Sequence, residues 1–186
     1  QGRAVAVHCV SEVELVFALA LFEATGCVRG DRIEHVSVAA MHLVDRMHQL
    51  GLQACVQPHF IAERGDRYLA DVEPRHQGDL YRLASLVEAG IALAGGSDAP
   101  FGSADPWAAM AAAVSRKTLA GAVIGPREAL APETALSLFL ADPADLVRQR
   151  ILAPGEPADC VLLDRPWRQA REQLGIGDVR LTLASA

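Results

Sequence analysis

Four side chains of this sequence stand where chemistry is done. They are His8, His35, His59 and Asp98, and each lies at or just past the end of a short apolar run. Ala4-Val5-Ala6-Val7 runs into His8, and Arg32-Ile33-Glu34 into His35. Gln53-Ala54-Cys55-Val56 runs through Gln57-Pro58 to His59. Ala89-Gly90-Ile91-Ala92-Leu93-Ala94 runs into Gly95-Gly96-Ser97-Asp98. A carboxylate at the carboxyl end of a buried strand is costly to desolvate unless a cation, a donor or a reacting proton needs it. Two imidazoles and one carboxylate suit zinc, manganese or iron(II). A carboxylate in such a set serves either as ligand or as acceptor of a proton from water. His8, His35 and Asp98 are therefore the candidate metal ligands, and Asp98 is also the candidate general base. The plainer reading of Asp98 is a cap on the helix that follows. His59 and Ser97 are candidate substrate contacts.

The remaining polar residues are less promising. Glu34 alternates with His35 and so points to the other face of its strand. His42 and His48 fall on different faces of one helix, and His76 lies in a charged stretch. Arg116, near a helix end, is expected in a surface salt bridge. There is no phosphate-cradling loop, since Gly-Gly-Ser at 95–97 lacks the spacing and the lysine. There is also no Gly-x-Ser-x-Gly turn to present a nucleophilic serine.

The elements that position these groups follow from periodicity. Strands are expected at 4–8, 32–36, 53–57 and in the run before Asp98. Helices are expected at 12–24, 39–50 and 79–88, each closed by a glycine (Gly26, Gly51, Gly90). Asp105-Pro106 opens a further helix as N-cap and first turn, and another centres on Thr134–Leu140. Alternating helices and nearly continuous apolar strands imply a parallel sheet covered by helices. Residues 61–78 are charged and weakly periodic, and are expected to form a long functional loop. Residues 152–164 and 179–183 break the rhythm and read as a small accessory β element.

Composition sets the outer limits. With 186 residues, 51% hydrophobic and only 5% aromatic, the core must be built from Ala, Val, Leu and Ile. A formal net charge of −6 argues against nucleic acid or an anionic membrane as partner. Cys9, Cys27, Cys55 and Cys160 show no close pairing, which predicts buried free thiols in a reducing cytoplasm. No signal-peptide pattern and no apolar run of about 18 residues is present. A cytoplasmic protein acting on a small molecule is the expectation.

The segments Val7-His8, Arg32-Ile33-Glu34-His35, Val56-Gln57-Pro58-His59 and Gly96-Ser97-Asp98-Ala99-Pro100, followed by Asp105-Pro106-Trp107, resemble the amidohydrolase superfamily, in particular amidohydrolase family 3. Pro132-Glu133-Thr134-Ala135-Leu136 and Pro154-Gly155-Glu156-Pro157-Ala158-Asp159 extend the likeness along nearly the whole chain. The resemblance implies a partial (β/α)8 TIM barrel, strands five to eight with their helices, over 1–150. It further implies part of a β-sandwich domain over 151–186. It also implies hydrolysis of a non-peptide C–N bond by water activated at one or two divalent ions, zinc foremost. His8 and His35 match metal ligands, and Asp98 matches the aspartate that binds metal and shuttles the proton.

The family's His-x-His pair and its bridging lysine or glutamate have no counterpart here, and Val10-Ser11-Glu12 replaces a Gly-Asp. A complete barrel takes about 200 residues or more. The chain is therefore expected to be a fragment, a split product, or a half-barrel. It would pair with a second copy or with the missing amino-terminal half. The competing expectations are a non-catalytic assembly module and a metal-dependent lactonase or phosphoesterase on the same scaffold.

Overall fold

A computed structural model describes residues 2–184. Strands β1 (Ala6–Cys9), β2 (Arg32–His35), β3 (Gln53–Val56) and β4 (Leu93–Gly95) form one parallel sheet in the order of the sequence. No strand is inserted out of order, so every crossover moves the chain one place along the sheet.

The first two crossovers are α1 (Glu12–Thr25) and α2 (Met41–Gln49). Ser11 caps α1 and Glu14 reaches back to the Ser11 amide, closing a capping box. Those amide contacts, from Ser11 and Val10, hold the Glu14 carboxyl below the usual range. Helix α1 buries Leu15, Ala18, Leu19 and Phe22, the spacing of one helical face. Its other face is apolar as well, and Val13, Phe17 and Leu21 are exposed.

The third crossover departs from expectation. Residues 61–78 are not a loop. They hold most of α3 (His59–Asp71) and part of a 3-10 turn, Pro74–Asp79. Charged residues obscure the helical period of α3, and Gly65 stands in its middle. In the structure it is a point of close approach: a Cβ there would fall 2.6 Å from Thr118 Cγ2 and 2.9 Å from Ile124 Cδ1. Bare backbone lets α3 lie against α5 (Pro106–Ser115) and the loop after it. The helix expected at 79–88 shrinks to α4 (Leu83–Glu88), because Tyr81 turns left-handed at φ 46°.

Asp105 does cap α5, accepting from the Trp107 amide at 2.9 Å, with Pro106 in the first turn. Helix α6 (Pro132–Ser137) ends three residues earlier than the expected centre. An unforeseen antiparallel hairpin follows, β5 (Ala141–Asp142) with β6 (Asp145–Gln149). The accessory element is a second hairpin, β7 (Cys160–Leu163) with β8 (Val179–Leu183), joined through α7 (Trp167–Ala170). Trp167 and Arg171 tie it to Glu133 of α6.

Arg116 is the other correction. It makes no surface salt bridge but is fully buried. Its guanidinium donates to the carbonyls of Ile124, Tyr81 and Leu80, each at 2.9 Å. It thereby joins the turn before α4 to the loop after α5. Burial lowers its pKa to about 10, with Glu128 opposing. The four cysteines are free as expected, but only Cys9 is fully buried and the others are half-buried. Desolvation still raises the Cys9 thiol to about 11 and the Cys55 thiol to about 12. No helix among the described residues is long and apolar enough to cross a membrane.

Candidate functional site

The parallel register places Cys9 opposite His35 and His8 opposite Glu34, so the histidines emerge one residue apart on adjacent strands. Their imidazole centroids are 4.5 Å apart with ring planes at 75°. His35 is buried and its Nδ1 has no hydrogen-bond partner. Desolvation holds His35 below the usual histidine range. Neighbouring His8 adds to this and Asp98 opposes it. His8 itself is exposed.

Asp98 faces the same cavity as His8 and His35. It is exposed, not buried as its position after a strand suggested. It does not cap α5, a role that belongs to Asp105. Its own carbonyl instead accepts from the amides of Phe101 and Gly102, closing the turn after β4.

The backbone is strained where these groups are presented. His35 has φ 74°, Val36 φ 49° and Asp98 φ 51°, the left-handed region that L-residues avoid. A β-branched residue there is a clear outlier. Such conformations cost about 1–3 kcal/mol each and persist where surrounding structure enforces them, commonly at functional sites.

The cavity has a volume of about 480 Å³. His8, His35 and Asp98 stand on its wall, and Phe60, Tyr68, Leu80 and Phe101 give it an apolar surface. Tyr81 joins Ser37 and Tyr68 through hydroxyl contacts of 3.1 and 3.3 Å. Burial pushes the Tyr81 phenol far above its ordinary range, so it stays protonated.

The other two candidates lie nearby without lining the cavity. His59 opens α3, is buried, and packs its ring 4.5 Å from that of Phe60. Neither of its ring nitrogens has a hydrogen-bond partner. Gly102 is required beside it, because a Cβ there would fall 2.4 Å from His59 Nε2. The Ser97 hydroxyl accepts from the Ala99 amide at 3.3 Å and so shapes the Asp98 turn.

As a metal site the arrangement is partial. Two adjacent imidazoles, one with an orphaned nitrogen, and a carboxylate in the same cavity form a donor set that suits a divalent ion. Among the described residues, no three His, Cys, Asp or Glu side chains already stand as a cage for one.

Sequence reasoning missed the α3 side of the cavity. Phe60, Arg64 and Tyr68 line it at intervals of four, the spacing of one helical face. That interval is present in the sequence, and it carries meaning once residues 59–71 are read as a helix.

A parallel sheet with imidazoles and a carboxylate at its carboxyl edge defines an α/β chain of the kind that gathers ligands at that edge. The family model described as "Amidohydrolase family" matches residues 1–184, and the chain belongs to that family. It is 29% identical over 139 residues to an N-substituted formamide deformylase of Arthrobacter pascens, covering 72% of this chain and 26% of that protein. It is likewise 29% identical over 120 residues to the putative amidohydrolase YtcJ of Bacillus subtilis (strain 168), covering 63% of this chain and 23% of that protein. An uncharacterised metal-dependent hydrolase from Pyrococcus furiosus superposes with a TM-score of 0.64 at 32% identity, over 74% of this chain and 28% of that one. The fold also matches A. niger ochratoxinase, with a TM-score of 0.63 at 20% identity over 99% of this chain and 41% of that one. The chain thus spans about a quarter of the length of these two curated relatives.

Proposed function

We propose that this chain forms the carboxyl-terminal half of a (β/α)8 barrel in a metal-dependent amidohydrolase that cleaves a non-peptide C–N bond. In this reading, residues 1–150 belong to the barrel and 151–186 to an accessory β-sandwich. The preceding part of the barrel lies along β1 and the outer face of α1. The observation that carries the proposal is the convergence of His8, His35 and Asp98 on one cavity, with left-handed backbone at His35 and Asp98.

His8 and His35 would hold a divalent ion, zinc foremost, together with Asp98. Such an ion, when bound, acidifies water and polarises a carbonyl. Asp98, on an exposed turn facing the cavity, takes the proton from the attacking water and returns it to the leaving nitrogen. The left-handed conformation at His35 and Val36 fixes the direction in which the imidazole is presented. Ser97 holds the Asp98 turn through the Ala99 amide. His59 supports that turn from behind, through its contact with Gly102.

The test uses the full-length protein. Divalent metal should be present in stoichiometric amount and be lost in His35→Ala. Hydrolysis of N-formyl and N-acyl amines should fall about 100-fold or more in Asp98→Asn, the contribution typical of a positioned proton acceptor. Metal-free protein with turnover indifferent to both substitutions would sink the proposal.

A second reading is a half-barrel that only binds or assembles. It is favoured by the absence, among the described residues, of a formed three-donor cage. It predicts no metal and no turnover of amide, lactone or phosphoester substrates at any protein concentration.

A further inference from the structure

The cavity carries a cation for which the reaction outlined above has no use. Arg64 lies one turn into α3 and lines the cavity between Phe60 and Tyr68. Its guanidinium carbon stands 3.8 Å from the centroid of Phe101 and 4.9 Å from that of Phe60. Those two rings meet edge-to-face at 5.7 Å. One Nη2 hydrogen bond, to the Phe101 carbonyl at 2.7 Å, fixes the group in its plane. Its Nε is buried with no hydrogen-bond partner.

The neighbouring charges are committed elsewhere. Arg67 pairs with Asp71, and Glu63 accepts from the Ser103 amide. Among the described residues no carboxylate lies within salt-bridge distance of Arg64. An arginine offers five donors in a rigid fork. Here the fork is held by two aromatic rings and one carbonyl, with most donors left over and an apolar cavity beside it. Rotamer entropy, the usual cost of recruiting an arginine, is thus already spent in the free protein.

We infer that Arg64 is the seat for a carboxylate, and that the ligand of this cavity is an acid whose apolar body lies against Phe60, Tyr68 and Leu80. Its charged end meets the guanidinium as a bidentate pair. Its other end faces His8, His35 and Asp98. Joined to the amidohydrolase reading, on which this step rests, the substrate class becomes an amide that bears a carboxylate, such as an N-acylated amino acid. The alternative role for Arg64 is a staple between α3 and the Phe101 loop.

The experiment measures binding to the full-length protein by calorimetry with 3-phenylpropionate and with 3-phenylpropanol, its neutral counterpart. Neither has a C–N bond, so the result is independent of catalysis. The acid should bind about 10- to 100-fold more tightly than the alcohol, the range of a charge-assisted hydrogen-bonded pair. Arg64→Gln, which keeps a donor for the Phe101 carbonyl, should bring the two within about threefold and leave the alcohol's affinity unchanged. Arg64→Lys keeps the charge and should retain part of the preference.

Equal binding by the wild type overturns the inference, as does a preference that survives in Arg64→Gln. A parallel loss of both ligands in Arg64→Gln, or in Arg64→Lys should the glutamine variant not fold, identifies the staple instead. Turnover of N-acetylphenylalanine is scored separately. Its absence alongside the predicted binding pattern would sink the hydrolase reading and leave the carboxylate seat standing.

Discussion

The two edges of the parallel sheet are finished in opposite ways. At the β4 edge the chain supplies its own cover. The Gly95 amide donates to the Leu138 carbonyl at 2.8 Å, and Ala94 packs with Ala141 and Leu146 of the β5–β6 hairpin. Gly95 lies so close under Phe139 that a Cβ would fall 2.6 Å from the ring. Among the described residues β4 pairs with β3 alone and β1 with β2 alone. Beside β1, α1 turns Val13, Phe17 and Leu21 outward at 64, 68 and 65% exposure. An uncovered strand edge bordered by apolar surface is what folded proteins avoid unless another segment packs there. The β1 edge is therefore the more open of the two, although closing the proposed barrel needs a strand at both.

This difference predicts different sensitivities. In the chain alone, the largest effect should come from the sealed side. Leu138 is 2% exposed and its carbonyl anchors the β4 edge. Leu138→Ala should cost about 2–5 kcal/mol, the range of large-to-small core substitutions. Urea denaturation measures it, as a lowered midpoint at unchanged slope. A loss below about 0.5 kcal/mol, typical of surface positions, would mean that this edge is no better covered than the other.

His59 lies beside Gly102, after β4, and its burial makes a pH-dependent prediction. Desolvation lowers the His59 pKa, Arg64 adds to this, and Glu63, the Ser97 carbonyl and Asp98 oppose it. A folded-state pKa below the unfolded value means that the unfolded chain takes up the proton first. The stability contribution of neutral His59 is therefore complete above the unfolded value of about 6.5, and is lost as pH falls through it toward the folded pKa. Urea midpoints should drop from about pH 7.5 to about pH 5, and His59→Gln should flatten that part of the profile. An unchanged slope in His59→Gln would show that its imidazole is open to water in solution.

How much of this was legible in the sequence depends on where each determinant lies. The strands and the caps of α1 and α5 are local. Ile33 and Val56 announce buried strands, and Ser11 with Glu14 and Asp105 with Pro106 announce helix starts. The placement of His8, His35 and Asp98 beside one cavity was legible for the same reason, since each follows an apolar run. What stayed hidden depends on contacts distant in sequence. The charged, weakly periodic run 61–78 hides α3, where contacts with Thr118 and Ile124 make Gly65 necessary. Arg116 looks like a surface cation, yet two of its three acceptors are carbonyls 35 and 36 residues away. With α3 unread, Phe60, Arg64 and Tyr68 could not be aligned on one face, and a third of the cavity wall was missing.

The smallest effect in the chain alone, and the most discriminating, is expected on the outer face of α1. Phe17→Ser and Leu21→Ser remove apolar side chains that are already in water in this chain. In the chain alone each should change unfolding free energy by about 0.5 kcal/mol or less, as surface substitutions do. In the full-length protein, where the preceding barrel segment is proposed to lie against this face, Phe17→Ser should instead cost about 3–5 kcal/mol, as loss of a buried phenylalanine does. The test lies in the contrast between the two contexts, because the substitution is the same and only the covering changes. Equal, small effects in both would leave the outer face of α1 open to water and send the search for a β1 partner elsewhere. A large effect in the chain alone would mean that α1 is already packed on both faces, and the contrast between the two edges would fall with it.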